Sequence, residues 1–459
     1  MREIRAMSPG KLGHGCNADE IAKAMTRDPH FIAVDAGSTD MGAFHLGSGT
    51  PFFHPISIKQ DLAPLLQAAC SQKIPLIIGT AVTAGTNALL ERALEIVREV
   101  AREQNLSFRM ATVRAEQDRA FLKGRLHQQP IEALGARAPL TDADIDGAAA
   151  VVAQMGVEPI IKALDTGARV VVAGRSCDDA LFAAIPVRDG FDQGLAMHMG
   201  KILECGSMAC VPGDLHGSLV GYLREDHFIL DPPDERRVCT VHSVASHTLY
   251  ERSNPYLQPG PGGVNDLRET RFEQVDARRV KVSGSRWIRD CVYKVKLEGV
   301  RFAGYRTICV AGIRDPILIG QLDQALGEAE TRTAERFGPD RRKYQMVFRQ
   351  YGRDAVMGAL EPERDGIPHE IGLMIEVIAE TQDLADAVCM YVRGTLQHAY
   401  YPGIVATAGN LAYPFSPFTV PCGPVYHFHV DHLLPLNDPC ECFPVEVEEV
   451  GRVVTAVGG

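Results

Sequence analysis

Pro75 to Val97, PLIIGTAVTAGTNALLERALEIV, is the stretch whose reading decides the fold. Leu76, Ile77 and Ile78 form the short unbroken apolar run of a strand buried on both faces. Gly79 to Gly85 is a polar turn. Leu89, Leu90, Ala93, Leu94 and Val97 then recur at helical spacing, with Glu91, Arg92 and Glu95 between them, so one helix face is buried and the other wet. Thr86 or Asn87 is placed to cap that helix, because a side-chain oxygen there accepts from its first free N–H groups. Strand, turn and helix together aim hydroxyls, an amide and unpaired N–H groups beyond the strand end, and the helix dipole favours negative charge there. Thr80, Thr86 and Asn87 are therefore candidate substrate-binding residues in an anion cradle.

The same pattern recurs on both sides of this stretch. Phe31 to Val34 is an apolar strand running into Asp35, Ser38, Thr39 and Asp40. Phe108 to Val113 is a third strand, ending in Arg114 and Glu116. Ala148 to Leu164 reads as a helix, and Ala168 to Ala173 as a fourth strand running into GRSCDDALFAAIP, with Ser176, Asp178 or Asp179 as its helix cap. Strands alternating with helices imply right-handed crossovers and a mainly parallel, doubly wound, Rossmann-like α/β sheet, whose loops share one carboxyl edge. Ligands bind at that edge. Asp35, Glu116, Asp178 and Asp179 are the candidate proton-moving acids, and Thr80, Thr86, Asn87, Arg114, Arg175 and Ser38 the candidate binding groups. Each Asp, Ser, Thr or Asn taken alone also suits a simple helix cap. Arg114 and Arg175 do not, since a cation at a helix N-terminus opposes the dipole unless an anion neutralises it.

Other motifs compete for function. Gly13, Gly15 and Ala18 fit a G-x-G-x-x-A dinucleotide pattern with Asp35 about 20 residues on, but Pro9 and Gly10 break the required passage from strand to loop. DAGSTD at residues 35–40 has the form of a sugar-kinase phosphate loop, without a matching second loop. From Leu195 to Cys210 a helix brings His198, Lys201 and Glu204 towards one face, and Glu204 is a further acid–base candidate. His427, His429 and Asp431 alternate along a strand, which suits either a metal or a wet face.

The chain has 459 residues, 46% of them hydrophobic and 23% charged, enough for a sizeable core and more than one domain. A net charge of −11 without acidic blocks argues against a nucleic-acid partner and gives no attraction to a membrane surface. The N-terminus lacks the apolar core of a signal peptide, so a cytoplasmic location is expected. Twelve cysteines scattered through apolar runs suit reduced buried thiols better than a disulfide framework. From about residue 235 short strands alternate apolar and polar residues beside a long helix, Pro316 to Phe337, so residues 1–234 are expected as the α/β ligand-binding domain and 235–459 as a smaller α+β domain closing an interdomain cleft.

The phrases DAGSTD, GTAVTAGTN, GRSCDDALFAA, SVASHTLYERSNPY, GPGG and AGNLAYPFSP run over nearly the whole length, and in them the chain resembles the acyclic terpene utilisation A family. The resemblance implies catabolism of a branched or small carboxylic acid, or of its CoA thioester, by hydration, elimination or carbon–carbon cleavage without a redox cofactor. It carries over no site residue. A divalent metal, or CoA as substrate carrier, is the cofactor class such chemistry could use. The expected partners are a small-molecule substrate, further copies of the chain and a separate small companion subunit. The alternatives are a non-catalytic ligand-binding subunit of a two-component enzyme, and an NAD-dependent oxidoreductase.

Overall fold

Residues 2–340, 342–363, 366–406 and 408–451 are described by the computed structural model. Its largest sheet has ten strands, and the five at its centre are parallel: Ile4–Ser8, Phe31–Asp35, Leu76–Gly79, Val170–Ala173 and Phe108–Val113, in that spatial order. Leu76, Ile77 and Ile78 are wholly covered, as a strand between two helical layers must be. The chain winds one way across the sheet as far as Phe108–Val113. It then turns back to insert Val170–Ala173 beside Leu76–Gly79.

Helices Ala18–Met25, Pro55–Gln72 and Asn87–Glu103 pack together as one layer, and Val157–Asp165, Asp178–Arg188 and Gln193–Leu203 as another. The centre is therefore a helix-covered parallel sheet. Antiparallel strands flank it. Leu219–Leu223, His227–Asp231, Val280–Ser283 and Arg271–Gln274 extend one side, and Val445–Val450 pairs with Phe108–Val113 on the other.

Several expected elements change. The helix expected from Ala148 begins instead with the strand Ala150–Ala153, which pairs antiparallel with Leu297–Val300 and turns helical only at Val157, after Gly156. Its β-branched Val151 and Val152 suit a strand, and alanine-rich flanks hid this. The helix expected from Leu195 to Cys210 ends at Leu203, and Gly206 then takes φ +55°, leaving a separate 3-10 turn at Gly206–Ala209.

The chain divides into two compact units, residues 1–301 with 428–459, and residues 302–427. A boundary near residue 234 would cut the ten-stranded sheet, because His227–Asp231 is hydrogen-bonded to Val280–Ser283. The second unit is α+β: Tyr305–Ile313 pairs with Ile371–Ala379, which pairs with Tyr344–Tyr351. Helices Leu322–Phe337 and Gln382–Gln397 pack with that sheet around Ile375, Val377, Leu326 and Val388. Among the described residues, no helix is long and apolar enough to cross a membrane.

Candidate active site

Asp35 closes the strand Phe31–Asp35 and keeps 2% of its surface exposed. One backbone bridge beyond the first strand, Lys11 to Asp35, brings the lysine alongside it, with Nζ 3.2 Å from Oδ2. Oδ1 accepts the N–H of Gly37 at 3.0 Å. Burial, followed by the negative charge of Asp178, pushes the Asp35 carboxyl up to about 7, although Lys11 pulls the other way. Burial lowers the pKa of Lys11, but the facing acids, Asp35 first, outweigh it and keep the ammonium charged.

Asp178 and Asp179 open the helix that follows the strand Val170–Ala173. An Oδ1 atom of each is buried with no hydrogen-bond donor. Asp178 Oδ1 lies 3.6 Å from Arg175 Nη1, and its side chain keeps 28% of its surface open. Burial and the charge of Glu204 push the Asp178 carboxyl up to about 7 against the pull of Arg175 and Lys11. Glu204 itself is raised, by burial first, with Lys201 opposing and Asp35 and Asp179 adding.

It reaches this place because Gly200 lets its helix close on the neighbouring one. A Cβ there would stand 2.4 Å from the carbonyl oxygen of Asp179. Lys201 Nζ donates to Glu204 Oε1 at 2.5 Å and lies 4.6 Å from the centre of the Tyr250 ring. Three buried acids that disfavour one another's ionisation thus stand with two lysines, Lys11 paired to Asp35 and Lys201 to Glu204. Burial and mutual repulsion raise all three carboxyls, Asp35 and Asp178 to about 7.

Arg175 is buried and largely committed. Its Nε donates to Glu298 Oε2 at 2.6 Å, and its Nη1 to the Ser176 carbonyl at 3.1 Å and to Thr80 Oγ1 at 3.4 Å. Glu298 also accepts from Thr39 Oγ1 at 2.8 Å and from Lys296 Nζ at 3.0 Å. Burial pushes Glu298 up, but Arg175 and Lys296 outweigh it and hold the carboxylate at about 2.

Two recesses open here, sharing Lys296 as a wall. One, of about 240 Å³, is lined by Thr39, Asp40, Arg137 and Glu298. The other, of about 470 Å³, has Arg252, Lys294 and Lys296 among apolar surface from Leu134, Val264 and Leu433. Arg252 links the larger recess to the acids: burial disfavours its charge, but Asp179, Cys177 and Glu204 outweigh this and raise its pKa.

The expected residues separate into two groups. Asp35, Asp178, Asp179 and Arg175 belong to this centre. Thr80 does not offer its hydroxyl to a ligand: it is wholly covered and accepts the Ser176 N–H at 3.1 Å, tying together the turns after two adjacent strands. Thr86 is the helix cap, accepting from Leu89 N at 3.4 Å. Glu116 fills the expected anion cradle from inside the chain, accepting the N–H of Asn87 at 2.7 Å. Asn87 Oδ1 takes a bond from Arg114, and Arg114 is clasped by Glu446 and Glu91, each at 2.8 Å. The arginine expected as a substrate clamp is thereby neutralised by the edge strand Val445–Val450. Ser38 Oγ bonds Asp40 Oδ2 at 2.9 Å within its own turn.

The dinucleotide-like glycine loop is filled in the same way. Gly13, Gly15 and Cys16 donate their N–H groups to the Asp61 carboxylate at 2.7, 3.1 and 2.9 Å, where a pyrophosphate would have to sit. In the expected histidine row, His429 Nε2 bonds the Asp144 carbonyl at 2.8 Å. Among the described residues, no group of three or more His, Cys, Asp or Glu side chains is placed to hold a metal ion.

Lys11, Arg252, Lys296 and Glu298 were not foreseen. Glu298 lies 123 residues from Arg175 in sequence, and only the tertiary fold joins them. Lys201 and Glu204 carried a local signal in their i, i+3 spacing.

Fold and site define an α/β protein with a cluster of buried acids at the carboxyl edge of its parallel strands. The chain belongs to the acyclic terpene utilisation family: the family model, Acyclic terpene utilisation family protein AtuA, matches residues 48–213 and 226–420. Membership implies a role in acyclic terpene utilisation. A comparison with curated proteins gave no match, and neither did one with solved structures.

Proposed function

We propose that the chain is a lyase or hydratase acting on a small or branched carboxylate, or on its CoA thioester, with the acid cluster as its proton-moving centre. The observation that carries this reading is the pair Asp35 and Asp178, both raised to about 7 and both facing Lys11. At neutral pH one such acid can stand ionised while the other holds its proton, which is what elimination needs. Ionised Asp178 takes the proton from the carbon next to the substrate carbonyl. Protonated Asp35 delivers one to the departing hydroxyl, which leaves as water while the carbon–carbon double bond forms. Hydration runs these transfers in reverse. Arg252 and Lys296 receive the substrate anion at the larger recess, and its apolar wall takes the carbon chain.

Incubation of the protein with branched carboxylates and acyl-CoA esters in D2O, followed by NMR and mass spectrometry, tests the reading. Deuterium entering at the carbon next to the carbonyl, lost in a folded Asp178→Asn variant, is the expected result. Ligand-dependent stabilisation of the isolated chain with no exchange or turnover would instead favour a ligand-binding subunit whose partner performs the chemistry.

A further inference from the structure

Cys210 and Cys239 are both buried, and their sulfur atoms lie 3.7 Å apart. Their placement follows from backbone pairing. Val211 and Val238 exchange two hydrogen bonds, the N–H of each donating to the carbonyl of the other at 2.7 and 3.0 Å. The next pair outward, Cys210 opposite Cys239, makes no backbone hydrogen bonds across the pair, the two N–H groups donating instead to Ser207 and Arg278. There the Cα atoms of an antiparallel pair approach to about 4.5 Å, within the span a disulfide bridges.

One of the elements so joined carries Glu204 of the acid cluster, and the other packs against Cys205 and Lys201 beside it. Cys210 ends the turn that follows Lys201, Glu204 and Cys205. Cys239 precedes the helix Val241–Leu249, after which come Tyr250, in contact with Cys205 at 3.3 Å, and Glu251, 3.4 Å from Lys201. Access comes from one side: Val211 is 49% exposed, and the turn continues exposed through Pro212 and Gly213.

We propose that Cys210 and Cys239 form an intramolecular disulfide when the folded protein meets a small-molecule disulfide oxidant, stapling the Glu204 segment to the Tyr250 segment. The Cys210 thiolate attacks oxidised glutathione, forming a mixed disulfide and expelling one glutathione thiolate. The Cys239 thiolate then attacks the Cys210 sulfur and expels the second. Two cysteine thiols are oxidised, the glutathione disulfide is reduced to two thiols, and the two protons released by the cysteines go to the departing glutathiones.

The test is to treat the full chain with oxidised glutathione under native conditions, block the remaining thiols, and map its peptides by mass spectrometry. A cross-linked Cys210–Cys239 peptide, about 2 Da lighter than its two reduced, unblocked peptides together and released by dithiothreitol, is expected. It should be accompanied by a higher Tm, because the staple restricts the unfolded chain. In the variant Cys239→Ala the resolving thiol is gone, so Cys210 should retain glutathione. The proposal is overturned if both thiols stay reduced in the folded protein, if they pair with other cysteines, or if the cross-link forms only after urea unfolds the chain.

Discussion

Asp61 and Glu116 stand against Asp178 and Asp179, four acids each placed by a glycine turn or a helix start and bonded in opposite ways. Asp61 accepts three backbone N–H groups, and Glu116 accepts one at the head of the helix Asn87–Glu103. Asp178 and Asp179 sit in a helix's first turn, where donors are abundant, yet each keeps a buried oxygen without one. A saturated carboxylate is part of the scaffold. A buried oxygen without a donor, as Asp178 and Asp179 each keep, is held at a cost to stability.

Breaking the charged frame of the second group should have the largest effect. Arg175→Met leaves Glu298 buried without its guanidinium, and urea unfolding should show a loss of about 3–5 kcal/mol. Glu298 is depressed to about 2, so its contribution is present above the ordinary carboxyl value near 4.5 and is lost as pH falls towards 2. Acid unfolding of wild type should be steeper across that window than in Glu298→Gln.

Asp178→Asn should lower turnover by about 100-fold or more if the residue moves the proton. Its stability effect has the opposite sign. A carboxyl raised from 3.8 to about 7 binds more protons folded than unfolded, so wild-type stability falls as pH rises through that interval. The amide should therefore raise Tm at pH 8, by about 2–4 °C, with the gain vanishing towards pH 4.

The saturated group supplies the contrast. Asp61→Ala removes the buried acceptor for three N–H groups of a partly exposed turn and should cost about 1–3 kcal/mol at every pH from 5 to 9, measured by denaturant unfolding. The smallest effect is expected at Arg114. Its partners Glu446 and Glu91 are half exposed, so Arg114→Ala should change stability by less than about 1 kcal/mol and leave turnover intact.

The parallel core was legible because its strands are continuous apolar runs ending in glycine and polar turns, and that local grammar also pointed to Asp35, Asp178 and Arg175. The same grammar cannot tell what fills a turn. TAGTN and GKLGHGC both read as anion sites and both are anion sites, but the anions are Glu116 and Asp61, the latter 48 residues away from Gly13. Arg114 was expected at a helix start but directly follows the strand Phe108–Val113, the next helix beginning at Arg119. Its neutralising partner Glu446 comes from a strand 332 residues away that carries no turn motif of its own. Lys11 was hidden inside a glycine-rich phrase whose dinucleotide reading drew attention to the glycines instead.

Infrared titration of the carboxyl C=O stretch tests the central claim most directly. In the difference between wild type and Asp178→Asn, the account predicts a protonated-carboxyl band that persists at pH 6 and is lost with an apparent midpoint near 7. A carboxylate already fully ionised by pH 5 would contradict it, and would return Asp178 to the role of an ordinary first-turn helix acid.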